Sequence, residues 1–344
     1  MGTQPGTRMD DAKGREIQDA VAHQNAAAPD RFIAQQPAPG SEAMVRKYIE
    51  MARSGIADDD FLSPRAADLI RRQGSFLRDQ LTKFGPLQSL SFRGVIPAGF
   101  DLYDATFANG RAKVTIEVGS DGKLDRANVL AESYGTSGAV IDCSQEGTLK
   151  SQVNTSLPIM VTIVNRTGGD INLFNISASG DRYSTSIGPQ PPITDGRSIP
   201  RNASATAPLV VTDGAGACLE IIMPGDSTRT VVIRPKGVLP RSVGGRAVPL
   251  PGSEGVLRQY IDEVRRGAPD YQQMTPWAAD AARGTLRAQQ AILAKLGTVQ
   301  AVTFAGIGPT EDDIYQVRFD NGAAEWRIDL APDGKIRRIA LGPQ

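Results

Sequence analysis

A long internal repeat is the feature that most constrains this chain. Residues 40–129 align without a gap on residues 252–341, so that Ser41 matches Ser253 and every later residue is shifted by the same 212 positions. About a third of the aligned positions are identical, and most of the others keep their apolar or polar character. Solenoid repeats have periods of roughly 20–50 residues, so a match of this length predicts a duplicated domain. We therefore expect two copies of one domain, with an insert between them.

The first half of each copy has the pattern of two helices. Apolar residues recur at helical spacing from Ser41 until Gly55, which suits the end of a helix. The pair Ser63-Pro64 provides a hydroxyl cap followed by proline at the first helical position, and Gly85 can end that second helix. The second copy repeats these signals with Gly267, Thr275-Pro276 and Gly297.

The second half of each copy changes to the alternation of β-strands. The pairs Asn109-Gly110 and Asn321-Gly322 stand between alternating segments, which is a strong hairpin signal because both residues tolerate positive φ. Asp121-Gly122 and Asp333-Gly334 then turn into a last strand. Each copy is thus predicted as an ααββββ domain of the α+β class, with two helices packed on a curved antiparallel sheet.

The insert is predicted as an all-β domain. It is rich in Ser, Thr, Asn, Gly, Ile and Val, and its short apolar runs recur at the intervals typical of a β-sandwich. The runs are Ile159–Asn165, Ile171–Ile176, Ala207–Thr212, Cys218–Met223 and Thr228–Ile233. The only two cysteines, Cys143 and Cys218, both lie here and are candidates for a disulfide, which would suit an extracytoplasmic protein. The alternative is two small buried apolar residues without a bond.

The composition of the chain bears on its N-terminal tail, on its partners and on its domain boundaries. Residues 1–39 are polar and low in apolar residues, so we expect a disordered tail, and the only histidine, His23, lies in it. The 38 basic and 38 acidic residues cancel, which leaves no overall field to attract nucleic acid. No apolar run is long enough to span a bilayer, so we expect no membrane insertion. The predicted domains are 1–39 (tail), 40–132 (first α+β copy), 137–236 (sandwich), 237–251 (linker) and 252–344 (second copy).

A resemblance accompanies the second copy. Asp313-Ile-Tyr-Gln-Val-Arg-Phe-Asp-Asn-Gly and Glu325-Trp-Arg-Ile resemble a short nuclear transport factor 2-like (cystatin-like) domain, of the kind appended to secreted bacterial serine hydrolases. The resemblance implies an accessory role. Larger relatives of this fold include ketosteroid isomerase, so the alternative is a small-molecule-binding or isomerase-like pocket. Its residues would be Tyr48 or Tyr260 and Asp101 or Asp313, although a core tyrosine and a turn aspartate also explain these positions.

The insert has a resemblance of its own. Val164-Asn165, Leu173-Phe174, Gly180–Tyr183 and Leu209–Asp213 follow the order of the von Hippel-Lindau β-domain, over about residues 141–235. The eukaryotic member of that family binds a hydroxyproline peptide. Phe174 and Tyr183 lie near the aromatic positions of its pocket, but Ala207–Val210 stands where the family has a histidine and a tryptophan. The resemblance therefore implies a surface for a peptide without that specificity, and the alternative is a spacer of fixed shape.

These observations together predict a noncatalytic protein of bacterial type that binds a protein or peptide partner. The chain has no Gly-x-Ser-x-Gly, no phosphate loop and no Cys-His cluster, so we expect no enzyme, no cofactor and no metal site. The candidate binding residues are Phe174, Tyr183, Tyr260 and Asp313. We expect a periplasmic or secreted location, with the cytoplasm as the alternative. A third hypothesis is a structural or assembly module, in which exposed sheets pair within the chain or in a homo-oligomer.

Overall fold

The computed structural model describes residues 26–131, 140–151, 159–184, 190–203, 207–224, 229–235, 248–308 and 310–343. Within these ranges the chain contains several helices and four sheets, whose strands pair antiparallel except in one pair. It is a multidomain protein of mixed α+β and all-β architecture. None of the described helices is long and apolar enough to cross a membrane.

The first unit packs two helices on one face of a four-stranded sheet with strand order β1-β2-β3-β4. Ser63 caps the second helix as predicted, because its side-chain oxygen accepts a hydrogen bond from the backbone N–H of Ala66. The Asn109-Gly110 hairpin joins β2 to β3. The elements are α2 (Ser41–Ser54), α3 (Pro64–Phe84), β1 (Leu87–Val95), β2 (Asp101–Phe107), β3 (Gly110–Val118) and β4 (Leu124–Ala131).

The second unit has the same elements in the same order, and each begins 212 residues after its counterpart. The pairing register also agrees, since Val299 pairs with Phe319 as Leu87 pairs with Phe107. Its core surrounds Trp326, which is fully buried. The elements are α4 (Ser253–Arg266), α5 (Pro276–Leu296), β13 (Val299–Ile307), β14 (Asp313–Phe319), β15 (Gly322–Leu330) and β16 (Ile336–Gly342).

The insert consists of two sheets that share one apolar core, to which Val161 and Ile163 contribute from one sheet and Leu173 and Val211 from the other. One sheet has the order β5-β11-β10-β7-β8, and the other has the order β12-β6-β9, with β12 parallel to β6. The strands are β5 (Val140–Ile141), β6 (Ile159–Asn165), β7 (Ile171–Ile176), β8 (Arg182–Tyr183), β9 (Ser198–Ala203), β10 (Leu209–Asp213), β11 (Cys218–Ile222) and β12 (Arg229–Ile233).

The expectation of disorder over residues 1–39 does not hold for residues 26–39. Residues 26–34 form a helix, α1, which lies between the two units. Phe32 is 1% exposed and belongs to the core of the second unit, whereas Arg31 pairs with Asp101 of the first. The tail composition did not reveal this helix because its apolar partners lie far away in sequence. Residues 1–25, including His23, lie outside the described residues.

Both units contain the same buried cluster of a serine, an aspartate and a tyrosine. In the second unit, Ser253 Oγ donates to Asp313 Oδ2 at 2.7 Å and lies 2.7 Å from the hydroxyl of Tyr315. The backbone N–H of Leu250 also donates to Asp313, at 2.7 Å. In the first unit Ser41 bonds Tyr103, and the N–H of Ala38 donates to Asp101 at 2.8 Å. The cluster fixes the start of the first helix of each unit to the sheet.

Replacing Asp313 by alanine should destabilise the second unit by roughly 1–3 kcal/mol, because the N–H of Leu250 and the buried hydroxyl of Ser253 each lose a hydrogen-bond partner. The measurement is chemical denaturation followed by tryptophan fluorescence, which reports on the buried Trp326. Asp280→Ala is the matched control, since the side chain of Asp280 is 78% exposed. Equal midpoints for the two variants would contradict the structural role of the cluster.

Replacing Phe32 by alanine should lower the stability of the second unit by about 3–5 kcal/mol, the cost usually found for removing a buried phenylalanine. Residue-resolved hydrogen exchange would show faster opening of α4 and α5. Ile56→Ala serves as the control because Ile56 is 72% exposed. If Phe32→Ala leaves exchange in the second unit unchanged, α1 is not part of that core.

Candidate functional site

A cavity of about 530 Å³ lies in the insert, where β7 of one sheet faces β9 of the other. Among the described residues, its wall combines apolar and basic side chains and contains no aspartate or glutamate. The lining residues are Asn172, Leu173, Phe174, Ser184, Gln190, Pro191, Ile193, Arg197, Ile199, Pro200 and Arg201. We call this space the sandwich cavity.

Two described residues pair with the edge of β7 beside the sandwich cavity. Ile171 exchanges both backbone hydrogen bonds with Ile193, at 3.0 and 2.8 Å, and Asn175 pairs with Tyr183 of β8. Since residues of an antiparallel strand face alternate neighbours, the N–H and C=O of Leu173 face the same edge. Residues 185–189, which follow Ser184 along the chain, lie outside the described residues.

Two of the four predicted binding residues lie at this place. Phe174 lines the sandwich cavity, and the guanidinium of Arg182 lies 5.9 Å from the centre of its ring. Tyr183 directly precedes the lining residue Ser184 and is 46% exposed. The Nη2 of Arg182 also donates to Glu146 at 2.6 Å. The resemblance to the von Hippel-Lindau β-domain had indicated these two aromatic residues.

The arginines of the wall have no acidic partner among the described residues. Arg201 belongs to β9, and alternation along the strand places it on the same face as Ile199 and Ala203, which contact the sandwich core. Burial lowers the pKa of Arg201 because the charged form loses hydration. Neither Arg201 nor Arg197 forms an ion pair with a described residue.

Asn165 fixes the loop that carries Ile193 into the wall. Asn165 is fully buried, and its side-chain amide donates to the carbonyl oxygens of Gly169 and Ile193, each at 2.7 Å. It lies at the end of β6, as the sequence pattern predicted. One side chain therefore holds two loops of the insert in place.

The second unit contacts the loop that follows Ile193, at Asp195 and Gly196. Asp195 accepts a hydrogen bond from Arg337 Nε of β16 at 2.9 Å and another from the N–H of Gly168 at 2.9 Å. The backbone of Gly196, at φ 83°, passes so close that a Cβ there would lie 2.5 Å from the carbonyl oxygen of Arg337. Only glycine fits this approach. The loop that walls the sandwich cavity is thus anchored outside the insert.

A buried ionic network continues this interface. Arg166 is 5% exposed, pairs with the buried carboxylate of Asp329, and donates to the carbonyl oxygen of Thr310. Burial lowers the pKa of Arg166, although Asp329 opposes this effect. Arg234 pairs with Glu311 nearby. A cavity of about 420 Å³ lies beside these residues.

The residues of this interface differ between the two units. Glu311 has a left-handed backbone with φ 63°, and the matching residue of the first unit is Gly99, with φ 83°. Arg337 stands where the first unit has Asp125, which accepts a hydrogen bond from Ser63 at 2.7 Å. Sequence reasoning missed this site, but substitutions at otherwise matched positions were a signal that could have found it.

Tyr260 and Asp313, the other two predicted binding residues, are not brought together. The hydroxyl of Tyr260 donates to Gln289 at 3.0 Å, and its ring packs edge-on against Trp326. Asp313 is fully buried and bonds Leu250 and Ser253. Neither lines the sandwich cavity, the 420 Å³ cavity or a third cavity of about 580 Å³ on the sheet of the second unit.

The two cysteines are joined. Cys143, at the start of a short 3₁₀ helix (Cys143–Thr148), forms a disulfide with Cys218 of β11. The same helix carries Glu146, the partner of Arg182. It is thereby held against the outer face of the five-stranded sheet. In the part of the chain that the structure describes, no group of three or more His, Cys, Asp or Glu is placed to hold a metal ion.

The Asp195–Arg337 contact should show a coupling energy of roughly 1–3 kcal/mol in a double-mutant cycle with alanine, because both side chains are largely buried and in contact. The measurement is the free energy of unfolding of the wild type, the two single variants and the double variant. The exposed pair Glu254–Arg258 is the control and should couple by less than about 0.5 kcal/mol. Equal coupling in the two cycles would show that the insert is not held by this contact.

Comparison with known proteins found no relative of this chain. No family model, no curated protein and no solved structure matches the chain. The resemblances to the von Hippel-Lindau β-domain and to nuclear transport factor 2-like domains therefore stay predictions. The function of the chain is therefore inferred from the sandwich cavity and from the residues that hold its walls.

Proposed function

We propose that this chain is a noncatalytic accessory protein of bacterial type that binds an extended peptide segment of a partner in the sandwich cavity. The observation that carries the proposal is the cavity of about 530 Å³ beside the edge of β7, where the described wall combines apolar side chains with two arginines. Extended peptides commonly bind along a sheet edge, with pockets for alternate side chains providing specificity.

The aromatic residues beside this edge give the peptide a place for a side chain. Phe174 lies at the wall, and exposed Tyr183 lies next to it on β8. Aromatic residues with an apolar body are enriched among the residues that contribute most to binding. The aromatic side chains would select among peptide sequences.

In this proposal, the two flanking α+β units hold the insert in position. We infer that residues 40–132 and 252–344 are two copies of one duplicated α+β domain around a von Hippel-Lindau-like sandwich at residues 137–236. The matched element bounds and pairing register support the inference. The isomerase-like alternative has less support, because Tyr260 and Asp313 already have structural hydrogen-bond partners.

We further propose a periplasmic or secreted location. A disulfide between Cys143 and Cys218 is stable in an oxidising compartment, whereas cytosolic thiols are kept reduced. Mass spectrometry of the protein isolated from its native compartment, with and without reductant before alkylation, tests this proposal. Two alkylated cysteines without reductant would favour the cytoplasmic alternative.

Peptide binding is tested by panning a random peptide library against the immobilised full chain and measuring affinities by fluorescence anisotropy. The wild type should select peptides, and Phe174→Ala should weaken their binding by roughly 1–2 kcal/mol, because a buried aromatic contact is lost. Phe92→Ala, at a partly buried aromatic residue of the first unit, is the matched control and should bind normally. Failure of the wild type to select any peptide, or equal affinity of Phe174→Ala and wild type, would contradict the proposal.

A further inference from the structure

The described residues of the sandwich cavity have unbalanced charges. They include two arginines, Arg197 and Arg201, and no acidic residue. Two other arginines of the insert do have acidic partners, since Arg182 pairs with Glu146 and Arg166 pairs with Asp329. A basic group without a partner attracts an anion.

The position of Arg201 makes this imbalance energetically significant. Arg201 lies in the core-facing row of β9 between Ile199 and Ala203, and it pairs across the strands with fully buried Val161. A guanidinium in such a row loses hydration, which costs free energy unless an anion or hydrogen-bond acceptors replace the water. No described carboxylate does so. A carboxylate would match the planar fork of an arginine with two parallel hydrogen bonds.

The rest of the wall restricts what kind of anion fits. Ile193, Ile199, Leu173 and Pro191 present aliphatic surface to the cavity. A bare inorganic anion would leave this surface exposed to water. The ligand should therefore carry both an apolar group and a negative charge.

We propose that the occupant of the sandwich cavity is an acidic peptide, in which a carboxylate binds Arg197 and Arg201 while a neighbouring apolar side chain packs on Leu173 and Ile199. This inference rests on the proposed peptide-binding function and names its ligand class. Single-stranded nucleic acid, the other anionic polymer, fits less well. It would need a series of aromatic faces for stacking, which the described wall does not offer.

The experiment uses the full chain and the peptides that the library selection yields, each made in four forms: unchanged, with Asp and Glu replaced by Asn and Gln, with a free C-terminus, and with an amidated C-terminus. We expect acidic residues to be enriched in the selected peptides. We also expect Arg201→Gln to weaken binding at least about tenfold and Arg201→Lys to weaken it less. Added salt should weaken binding to the wild type more than to Arg201→Gln.

Arg258→Gln is the control, because Arg258 lies on the exposed face of α4 and should leave affinity unchanged. Loss of affinity in the Asn and Gln peptides assigns the carboxylate to a side chain, and loss only on amidation assigns it to the C-terminus; either outcome supports the inference. Selected peptides without acidic enrichment, or equal affinity of Arg201→Gln and wild type, would overturn it while leaving peptide binding intact. Selective, Arg201-dependent binding of a single-stranded oligonucleotide in place of peptides would overturn both.

Discussion

The buried contact of Arg166 and Arg337 with Asp329 is the constraint on which the arrangement of this protein depends. All three side chains are nearly excluded from water, and the two arginines come from different parts of the chain, the insert and β16. Breaking a buried ion pair by removing one partner usually costs about 3–5 kcal/mol, because a charge is left without compensation. The contact therefore fixes the orientation of the insert relative to the second unit, since it is stable only when the two are correctly placed. Asp195 extends the same contact to the loop beside the sandwich cavity.

The two α+β units have the same helices and strands, but they contact different segments of the chain. The turn before β2 and the turn before β14 have the same backbone hydrogen bonds, between Ile96 and Gly99 in one case and between Gly308 and Glu311 in the other. The first turn accepts Arg31 of α1 at the carbonyl of Gly99, whereas the second binds the insert through Thr310 and Glu311. The same turn geometry thus binds α1 in the first unit and the insert in the second unit. Glu311 tolerates a backbone conformation that favours glycine, and its ion pair with Arg234 offsets that cost.

Most of the secondary structure could be predicted from local signals. The Ser63-Pro64 cap, the Asn-Gly hairpins and the alternating strands are determined by residues close in sequence, and they appear where expected. The short strand β9 was missed because Pro200 and Arg201 interrupt the usual alternation, which is typical of an edge strand. Helix α1 was missed because the burial of Phe32 depends on a core more than 200 residues away in sequence.

The candidate site was predicted only in part, for the same reason. Phe174 and Tyr183 were indicated by the pattern of the insert, but the place of the arginines in the wall depends on how two sheets face each other. Local sequence contains no signal for such a relation. Tyr260 and Asp313 illustrate the converse, since residue types that suit a catalytic pocket are used here to join a helix to a sheet.

The most direct test of this account is the measurement of backbone residual dipolar couplings on the intact chain in solution. If the buried ionic contact orients the insert on the second unit, couplings from residues 159–184 and 248–308 will fit a single alignment tensor. Two different tensors, with reduced magnitude for one of the two segments, would mean that the insert moves independently and would contradict the account.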